Sequence, residues 1–494
     1  MTERSDLAAF VERMAGVQVL CVGDVMLDRY VYGAVERISP EAPIPVMRVE
    51  RDQAMLGGAG NVVRNLSALA AQCAFVSVIG DDAAGREVKS LTANQGGVRP
   101  HLMMQRRRGT SIKTRFIASG QQLLREDRET VAPVGPTARR KIIDRVQAAL
   151  ESSTVAVLSD YGKGVLSDSV IRGVIEAARE AGRPVIVDPK GTDYRRYAGA
   201  TVITPNRKEL AAAANGPVDG IPAVTETAAG LIDACGIEAA MVTLGEAGMA
   251  LVNRPGAGFF AAGAEHLGAE AREVFDVSGA GDTVVATFAA ALAAGAPPNA
   301  AARLANAAAG IVVGKLGTAV AHASELFATL HAQELLSAEA RLVRLAAALD
   351  RIADWRAKGL KIGFTNGCFD LLHPGHVRLL EQAHAACDRL VVGLNSDASA
   401  RRVKGPERPI QSESARAAVL GSLATVDLIV VFGEDTPLEL IRAIRPEVLV
   451  KGADYSIDQV VGADLVQGYG GRVLLAELAE GHSTSATIAR MGKE

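Results

Sequence analysis

The sequence is poor in cysteine and contains no long apolar run. Its five cysteines are scattered over 494 residues without a Cys-x-x-Cys pair, so neither a disulfide framework nor a zinc site is predicted. No uninterrupted apolar stretch reaches the length needed to span a membrane, and the N-terminus lacks a basic segment followed by an apolar core. These absences predict a cytoplasmic protein whose thiols stay reduced.

A strong net charge is also missing. The 53 lysines and arginines nearly balance the 56 aspartates and glutamates, and the net charge is −3. This balance excludes the broad basic surface that binds nucleic acid or a membrane surface, so any phosphate site must be local. We therefore expect no nucleic-acid partner and no membrane partner. At about 100–200 residues per domain, the length predicts two to four domains.

A glycine-rich segment precedes an alanine-rich stretch of helical length. Residues 276–283 read Asp-Val-Ser-Gly-Ala-Gly-Asp-Thr, which is typical of a loop leading into a helix N-terminus. Unpaired N–H groups and the helix dipole stabilise a phosphate at such a position. Gly279 and Gly281 allow close approach to the anion, and Asp282 is interpreted as a general base that takes a proton from a hydroxyl. A helix cap and a tight turn are the structural alternative.

The same run resembles the C-terminal signature of the ribokinase-like (PfkB) sugar kinases. The resemblance implies that Asp282 is the catalytic base and that the backbone of Gly279, Ala280 and Gly281 forms an anion hole. Both the residues and the resemblance therefore indicate phosphoryl transfer to an alcohol.

A second glycine-rich segment, Gly-Gly-Ala-Gly-Asn at residues 57–61, precedes another helix-like stretch. Gly57 and Gly58 permit close approach to a ligand, and Asn61 offers a donor and an acceptor to a hydroxyl. Upstream, an apolar strand-like run ends at Asp24. Asp24 and Asp28 are predicted to hold sugar hydroxyls, with turn formation as the alternative. The segment resembles the N-terminal signature of the same kinases.

A basic run begins at Arg106 and includes Arg108, with Lys113 and Arg115 close behind it. Most such runs are solvated faces. The alternative is that some of these cations bind a phosphate already present on the substrate, because arginine pairs bidentately with phosphate oxygens. Arg106 and Arg108 are the two residues that we expect in this role.

From residue 155 onward, strand and helix patterns alternate as in βαβ units, with strands at 155–159 and 185–187 around a helix at 170–181. The next strand leads into an Asn-x-x-Glu element, Asn206 to Glu209. This element resembles that of the same kinases, in which the acid acts indirectly, through Mg²⁺, on the nucleotide phosphates. An ordinary strand-to-helix turn is the alternative. The resemblance implies a nucleotide site formed by Asn206, Arg207, Lys208, Glu209, Thr243, Gly245 and Asn306.

A second pair of motifs lies in the C-terminal third. His373 and His376 are three residues apart at a predicted helix start, so both imidazoles can face one anion. A metal site is the competing interpretation, but no His-Glu-x-x-His spacing or obvious third ligand accompanies them. The surrounding sequence, Asn-Gly-Cys-Phe-Asp-Leu-Leu-His-Pro-Gly-His at residues 366–376, resembles the cytidylyltransferase-like nucleotidyltransferases.

This second resemblance implies that the two histidines bind a nucleoside triphosphate and stabilise charge at its α-phosphate. It also implies a larger set of nucleotide-binding residues. The set is Thr365, Asn366, Gly367, Phe369, Asp397, Lys404, Arg408, Lys451, Asp454, Ser483 and Thr484. For the two hydroxyl residues, plain helix capping is the alternative.

These patterns predict an α/β protein of two domains. We expect a ribokinase-like domain at residues 1–320, which carries a small β arm or lid because residues 39–46 are too proline-rich for a central strand. A helical connector is predicted at 321–355, and a Rossmann-like nucleotidyltransferase domain at 356–494.

Taken together, the two halves resemble the family of bifunctional heptose 7-phosphate kinases and heptose 1-phosphate adenylyltransferases of lipopolysaccharide core synthesis. The resemblance implies ATP and Mg²⁺ as cofactors, a sugar phosphate as substrate, and a homo-oligomer that dimerises through the kinase domain. Two alternatives stay open at this point: another sugar phosphate or CTP as substrate, and a nucleotide-sensing second half without turnover.

Overall fold

The computed structural model of the chain describes residues 3–261, 263–270, 275–315, 317–330, 341–453 and 455–477. The chain divides into two compact units between Leu330 and His331. The domain boundaries expected at 320 and 355 stay predictions. Asp454, Ser483 and Thr484, which are expected to bind nucleotide, lie outside the described residues.

The first unit contains thirteen named strands and ten helices within its described residues. The strands are β1 (Gln18–Gly23), β2 (Val25–Ile38), β3 (Pro45–Gly58), β4 (Gln72–Gly80), β5 (Val98–Gln105), β6 (Ser111–Ala118), β7 (Gln121–Arg128), β8 (Val155–Ser159), β9 (Val185–Asp188), β10 (Val202–Ile203), β11 (Ala239–Thr243), β12 (Met249–Asn253) and β13 (Ala264–Leu267). The helices are α1 (Glu3–Arg13), α2 (Ala59–Ala68), α3 (Ala83–Ala93), α4 (Pro136–Leu150), α5 (Asp168–Glu180), α6 (Arg207–Ala213), α7 (Gly220–Cys235), α8 (Ala280–Ala293), α9 (Pro298–Val313) and α10 (323–330).

Nine of these strands form one sheet in the order β13-β12-β11-β10-β9-β8-β1-β4-β5. The strands from β11 to β5 are parallel, and β12 and β13 add an antiparallel edge. Alternate residues of β1 enter two separate cores, Val19 and Cys21 on one face and Leu20 and Val22 on the other. Burial on both faces explains why these strands read as nearly continuous apolar runs. The strands expected at 155–159 and 185–187 are confirmed.

A second, four-stranded sheet has the order β3-β2-β6-β7, and we call it the arm sheet. The strands β2 and β3 are antiparallel, and the proline-containing residues 39–44 form the turn between them. Most of β3 before Ala54 is exposed, whereas its last residues are buried beside β2. The β arm expected from the prolines is therefore confirmed.

The second unit is a five-stranded, all-parallel sheet covered by helices. Its strands are β14 (Ile362–Gly367), β15 (Arg389–Asn395), β16 (Leu428–Phe432), β17 (Val448–Gly452) and β18 (Arg472–Ala476), in the order β16-β15-β14-β17-β18. Its helices are α11 (Leu345–Ala357), α12 (Pro374–Ala385), α13 (Asp397–Lys404), α14 (Glu413–Gly421), α15 (Leu438–Ile444) and α16 (Ala463–Gly468). The order reverses between β14 and β17, and doubly wound sheets bind ligands at such a point.

Helix α11 completes the core of the second unit. Ala348 and Ile352 are fully buried against the same apolar cluster as Phe364 of β14. In contrast, Leu326 and Leu330 of α10 are buried in the core of the first unit. The segment expected as a connector therefore contributes to both cores, and residues 331–340 lie outside the described part of the chain.

All five cysteines are free thiols, and Cys21, Cys73 and Cys235 are buried. Within the described ranges, the helices are too short or too polar for any of them to traverse a lipid bilayer.

The packing of α11 gives a direct test of its place in the second unit. We expect Ile352→Ala to destabilise this unit by about 2–5 kcal/mol, because the substitution removes a buried side chain and leaves a cavity. Hydrogen exchange followed by mass spectrometry should show lost protection in β14 to β17 and unchanged protection in β1 and β8. The matched control is Asp354→Ala, which changes an exposed position of the same helix. Equal loss of protection in both units would contradict this assignment.

Candidate active sites

The N-terminus of α8 forms the centre of the site in the first unit. Gly279 precedes this helix with φ +81°, and a Cβ there would lie 2.6 Å from Nδ2 of Asn61. Glycine is therefore required at this position for both backbone conformation and space. A Cβ on Gly281 would meet only open space. The N–H groups of Gly281 and Asp282 come too early in the helix for an intrahelical partner, so they are available to an anion.

Asp282 lies in the first turn of α8 and is only 7% exposed. Its Oδ2 accepts a hydrogen bond from Nδ2 of Asn61 at 2.9 Å, and its Oδ1 accepts one from the Tyr161 hydroxyl at 2.6 Å. Burial raises the pKa of Asp282 to about 6, against the opposing effect of these two hydrogen bonds. The carboxylate is therefore ionised at neutral pH and has a proton affinity suited to a general base.

Asn61 is held so that its amide nitrogen faces Asp282. Nη1 of Arg64 donates to Oδ1 of Asn61 at 2.9 Å, which leaves Nδ2 for the carboxylate. One turn further along α2, Asn65 donates to the Asn61 carbonyl and accepts a hydrogen bond from the Thr283 hydroxyl. These bonds lock α2 against α8, the two helices that carry the two kinase-like motifs.

Tyr161 was not anticipated from the sequence. It lies in the Asp-Tyr-Gly-Lys-Gly segment at 160–164, directly after β8. Asp24 holds this segment, because its carboxylate accepts the backbone N–H groups of Tyr161, Lys163 and Val165 at 2.9–3.0 Å. The glycine-rich turn at the carboxyl end of a predicted strand was the available signal.

Arg108 holds the same segment from another side. Its guanidinium donates to the backbone carbonyls of Lys163 and Ala132 and is buried. Arg106 is exposed and lines a different cleft, of ≈ 920 Å³, between β5 and α4. The two arginines expected to bind a substrate phosphate are therefore not brought together.

The other residues expected at the sugar lie where the arm sheet meets α2. Asp28 of β2 is buried and pairs with Nη1 of Arg115 at 3.1 Å. A Cβ on Gly57 would lie 2.5 Å from the Asp28 carboxylate, and Gly58 precedes α2 with φ +58°. The structure thus places Asp28, Gly57, Gly58 and Asn61 on one side of Asp282.

The residues expected at the nucleotide lie at the carboxyl ends of β10 and β11. Asn206 and Glu209 form a capping box at the start of α6, and Glu209 also pairs with Nζ of Lys190 at 3.1 Å. Asn206 bridges to Thr243 at the end of β11. Arg207 and Lys208 occupy the first turn of α6, Gly245 follows β11 with φ +63°, and Asn306 of α9 donates to the Gly268 carbonyl.

An additional carboxylate, that of Asp188, lies at the end of β9, between the residues expected at the sugar and those expected at the nucleotide. Its pKa is raised well above its usual range by burial and by the nearby charges of Asp282 and Glu209. Such crowding of carboxylates suits a divalent cation. Among the described residues no group of three metal-ligating side chains is present. Mg²⁺ fits this arrangement, because it usually takes one or two carboxylates and fills its other positions with phosphate oxygens and water.

The site of the second unit surrounds the start of α12. His373 is the N-cap, His376 lies in the first turn, and their rings stack with centroids 3.9 Å apart. Burial, and then the neighbouring His373, lower the pKa of His376 to about 4. His376 is therefore neutral at pH 7 in the free protein. The ring of Phe369 packs against it at 5.2 Å.

A cavity of ≈ 470 Å³ opens beside these histidines, at the carboxyl ends of β14 and β17. Most of the residues expected at the second nucleotide site line it. They are Asn366, Gly367, Phe369, His373, His376, Lys404, Arg408 and Lys451. Thr365 is fully buried below this surface, in β14.

Several charges near this cavity are already engaged with the protein. Arg408 pairs with Asp370, and Lys451 donates to the carbonyl and the side-chain oxygen of Asn366 at 3.3 and 3.1 Å. Asp397 pairs with the fully buried Arg416 at 2.7 Å. Arg408 therefore forms part of the cavity wall, whereas Asp397 does not line the cavity. Lys404 is exposed at the end of α13.

The two units match two known families. Residues 17–324 match the pfkB family of carbohydrate kinases, and residues 364–490 match the cytidylyltransferase-like family. Ribokinase from Arabidopsis thaliana, complexed with ribose and ATP, has a TM-score of 0.51 at 21% identity and covers 64% of this chain and 99% of its own. Phosphofructokinase-2 from Escherichia coli, with substrates and products, has a TM-score of 0.53 at 20% identity over the same shares. These solved structures show the fold alone.

Curated relatives match nearly the full length. Bifunctional protein HldE from Paramagnetospirillum magneticum is 61% identical over 99% of both chains. The protein of the same name from Rhodospirillum rubrum is 56% identical over 98% of this chain and 97% of its own. That from Caulobacter vibrioides is 53% identical over 98% and 99%. The chain therefore belongs to the pfkB family of carbohydrate kinases, among members that carry a cytidylyltransferase-like second half.

Proposed function

We propose that this chain is a bifunctional enzyme of ADP-heptose synthesis for the lipopolysaccharide core. The first unit uses ATP to phosphorylate D-glycero-β-D-manno-heptose 7-phosphate at C1. The second unit transfers an adenylyl group from ATP to heptose 1-phosphate and releases pyrophosphate. The observation that carries the proposal is the buried Asp282 carboxylate, with its pKa of about 6, at a helix N-terminus that is open at Gly281.

In the kinase reaction, Asp282 accepts the proton of the C1 hydroxyl as its oxygen attacks the γ-phosphorus of ATP. The bond from this phosphorus to the bridging oxygen breaks, and ADP leaves. The backbone N–H groups of Gly281 and Asp282 stabilise charge on the transferred group, and Asn61 and Tyr161 hold the carboxylate in place. Mg²⁺, held from the side of Asp188 and Glu209, would neutralise charge on the nucleotide phosphates.

In the adenylyl transfer, a phosphate oxygen of the sugar attacks the α-phosphorus and pyrophosphate leaves. His373 and His376 lie at the helix N-terminus, where N–H donors and the helix dipole favour an anion. Lys451 and Lys404 add positive charge around the cavity. The relatives named as bifunctional do not favour the alternative in which the second half binds nucleotide without catalysing a reaction. Pyrophosphate release measured with a panel of sugar phosphates, each with ATP or CTP, tests which substrates this unit uses.

The same proposal extends to the localisation, the oligomeric state and the domain bounds of the enzyme. We propose a cytoplasmic homodimer that assembles through the kinase unit, in line with a solved neighbour of the same fold, phosphofructokinase-2 from Escherichia coli, that is described as tetrameric. Residues 1–320 would form the kinase and 356–494 the nucleotidyltransferase. Size measurement of the separate units by sedimentation tests which of them dimerises.

Replacing Asp282 should abolish the kinase reaction and leave the adenylyl transfer unchanged. We expect Asp282→Asn to lower the kinase rate by several orders of magnitude, because the amide cannot accept the hydroxyl proton. Nucleotide binding should persist, since the anion site is mostly backbone. ADP formation from heptose 7-phosphate measures the loss, and pyrophosphate release by the same protein is the internal control. A folded variant with substantial kinase activity would remove Asp282 from this role.

The pH dependence of the kinase should report the Asp282 carboxylate. The value of kcat/KM should rise with pH through about 6, as the base becomes ionised. Tyr161→Phe removes a hydrogen bond to the ionised form, so this limb should move up by about 1–2 pH units. The matched control is Tyr194→Phe, which removes a buried hydroxyl without a hydrogen-bond partner among the described residues. An unmoved limb in Tyr161→Phe would contradict the assignment.

The second reaction should depend on the stacked histidines. We expect His376→Ala to lower pyrophosphate release by about 10²–10³-fold, because a donor near the α-phosphate is lost. Kinase activity should not change. His384→Ala is the matched control, since His384 lies on the same helix, away from the cavity-lining residues. Normal pyrophosphate release by His376→Ala would move the adenylyl site elsewhere.

A further inference from the structure

The positively charged side chains around Asp282 differ in whether they already have a hydrogen-bond or ion-pair partner within the protein. Most are held by acidic side chains, by amides or by backbone carbonyls: Arg115 by Asp28, Lys163 by Glu129, Arg125 by Asp127, Arg64 by Asn61 and Thr318, and Arg108 by Ala132 and Lys163. Within the described part of the chain, Lys113 has no hydrogen bond or ion pair. An unpaired cation beside a catalytic base is the group that a substrate anion can meet.

Lys113 lies on β6 of the arm sheet, opposite Asp28 of β2. Its Nζ lies 5.9 Å from the centroid of the Tyr161 ring, and the hydroxyl of this ring donates to Asp282. One phenol ring therefore separates the ammonium group from the carboxylate that takes the proton. A sugar whose reacting hydroxyl lies at Asp282 must extend away from it, and Lys113 lies within the reach of such a molecule.

The electrostatics of Lys113 agree with a site that awaits an anion. Burial lowers its pKa, and the more distant charges of Asp28, Asp127 and Glu129 only partly oppose this effect. A partly buried ammonium group without a hydrogen-bonded partner costs free energy, which a bound phosphate would recover. The acceptor would therefore gain affinity from a phosphate at this point.

Lys113 lies on the side of the site where the acceptor sugar is expected, away from the residues expected at the nucleotide. Lys113 belongs to the arm sheet, which also carries Asp28 and Gly57. Asn206 and Glu209, expected at the nucleotide, lie beyond β8 and β9 in the nine-stranded sheet. We propose that Lys113 binds the phosphate ester that the acceptor sugar carries, away from the hydroxyl that is phosphorylated. This inference rests on the proposed kinase function and gives that site its selectivity for a sugar phosphate over a free sugar.

The experiment compares one sugar with and without its phosphate. Lys113→Met, Lys113→Arg and wild type are assayed with heptose 7-phosphate and with the free heptose, at pH 8, where Asp282 is ionised. We expect Lys113→Met to lower kcat/KM for the sugar phosphate by about 10- to 100-fold, mostly through KM. The value for the free sugar and the KM for ATP should not change, and Lys113→Arg should recover part of the loss. Lys141→Met, at an exposed lysine of α4, is the matched control.

Two outcomes would overturn the inference. Equal losses for both sugars would mean that Lys113 acts on the reacting groups, and a raised KM for ATP would place it at the nucleotide. Calorimetric binding of heptose 7-phosphate to Asp282→Asn, with and without Lys113→Met, tests the contact without turnover. Failure of the proposed kinase function would appear as an inactive wild type, which is a different result from lost selectivity.

Discussion

The hydrogen bonds that reach the Asp282 carboxylate connect three distant parts of the first unit. Asn61 is 221 residues away in sequence and Tyr161 is 121 residues away. A buried carboxylate without such donors would take up a proton and lose its use as a base. Each donor is fixed in turn, Asn61 by Arg64 and the Tyr161 segment by Asp24. The central strands and α2 thus hold the hydrogen-bond donors that keep the Asp282 carboxylate ionised at the start of α8.

The second unit meets the need for anion stabilisation in a different way. Its central groups are two stacked imidazoles, of which His376 is neutral at pH 7, and the positively charged side chains around them are Lys404, Arg408 and Lys451. A triphosphate that enters the cavity would bring negative charge, which raises the proton affinity of His376. The first site therefore contains a carboxylate that is ionised before the substrate binds, whereas the second contains a neutral imidazole, His376, whose protonation responds to the ligand.

The sequence allowed prediction of the elements whose signal is local. The parallel strands, the glycine before α8 and the paired histidines follow from patterns of a few residues. Tyr161 did not, because its importance depends on a hydrogen bond to Asp282, which is 121 residues away. Lys113 belongs to the predicted basic run, but only the structure shows that it lies beside Tyr161 while Arg115 is paired with Asp28. The three consecutive arginines show the same limit. Arg107 has φ +62°. Arg106, on one side of this turn, lines an exposed cleft, and Arg108, on the other side, is buried, which the run of like residues does not indicate.

The position of α8 along the chain also bears on how the protein is made. The helix packs against β1 and α2, which are synthesised more than 200 residues earlier, and Leu326 and Leu330 of α10 enter the same apolar core. Domains generally fold as units while the chain leaves the ribosome. The apolar faces of the first strands therefore stay exposed to water until about residue 330 has left the ribosome. The core of the first unit can therefore be completed before the second sheet, which begins at Ile362, has been translated.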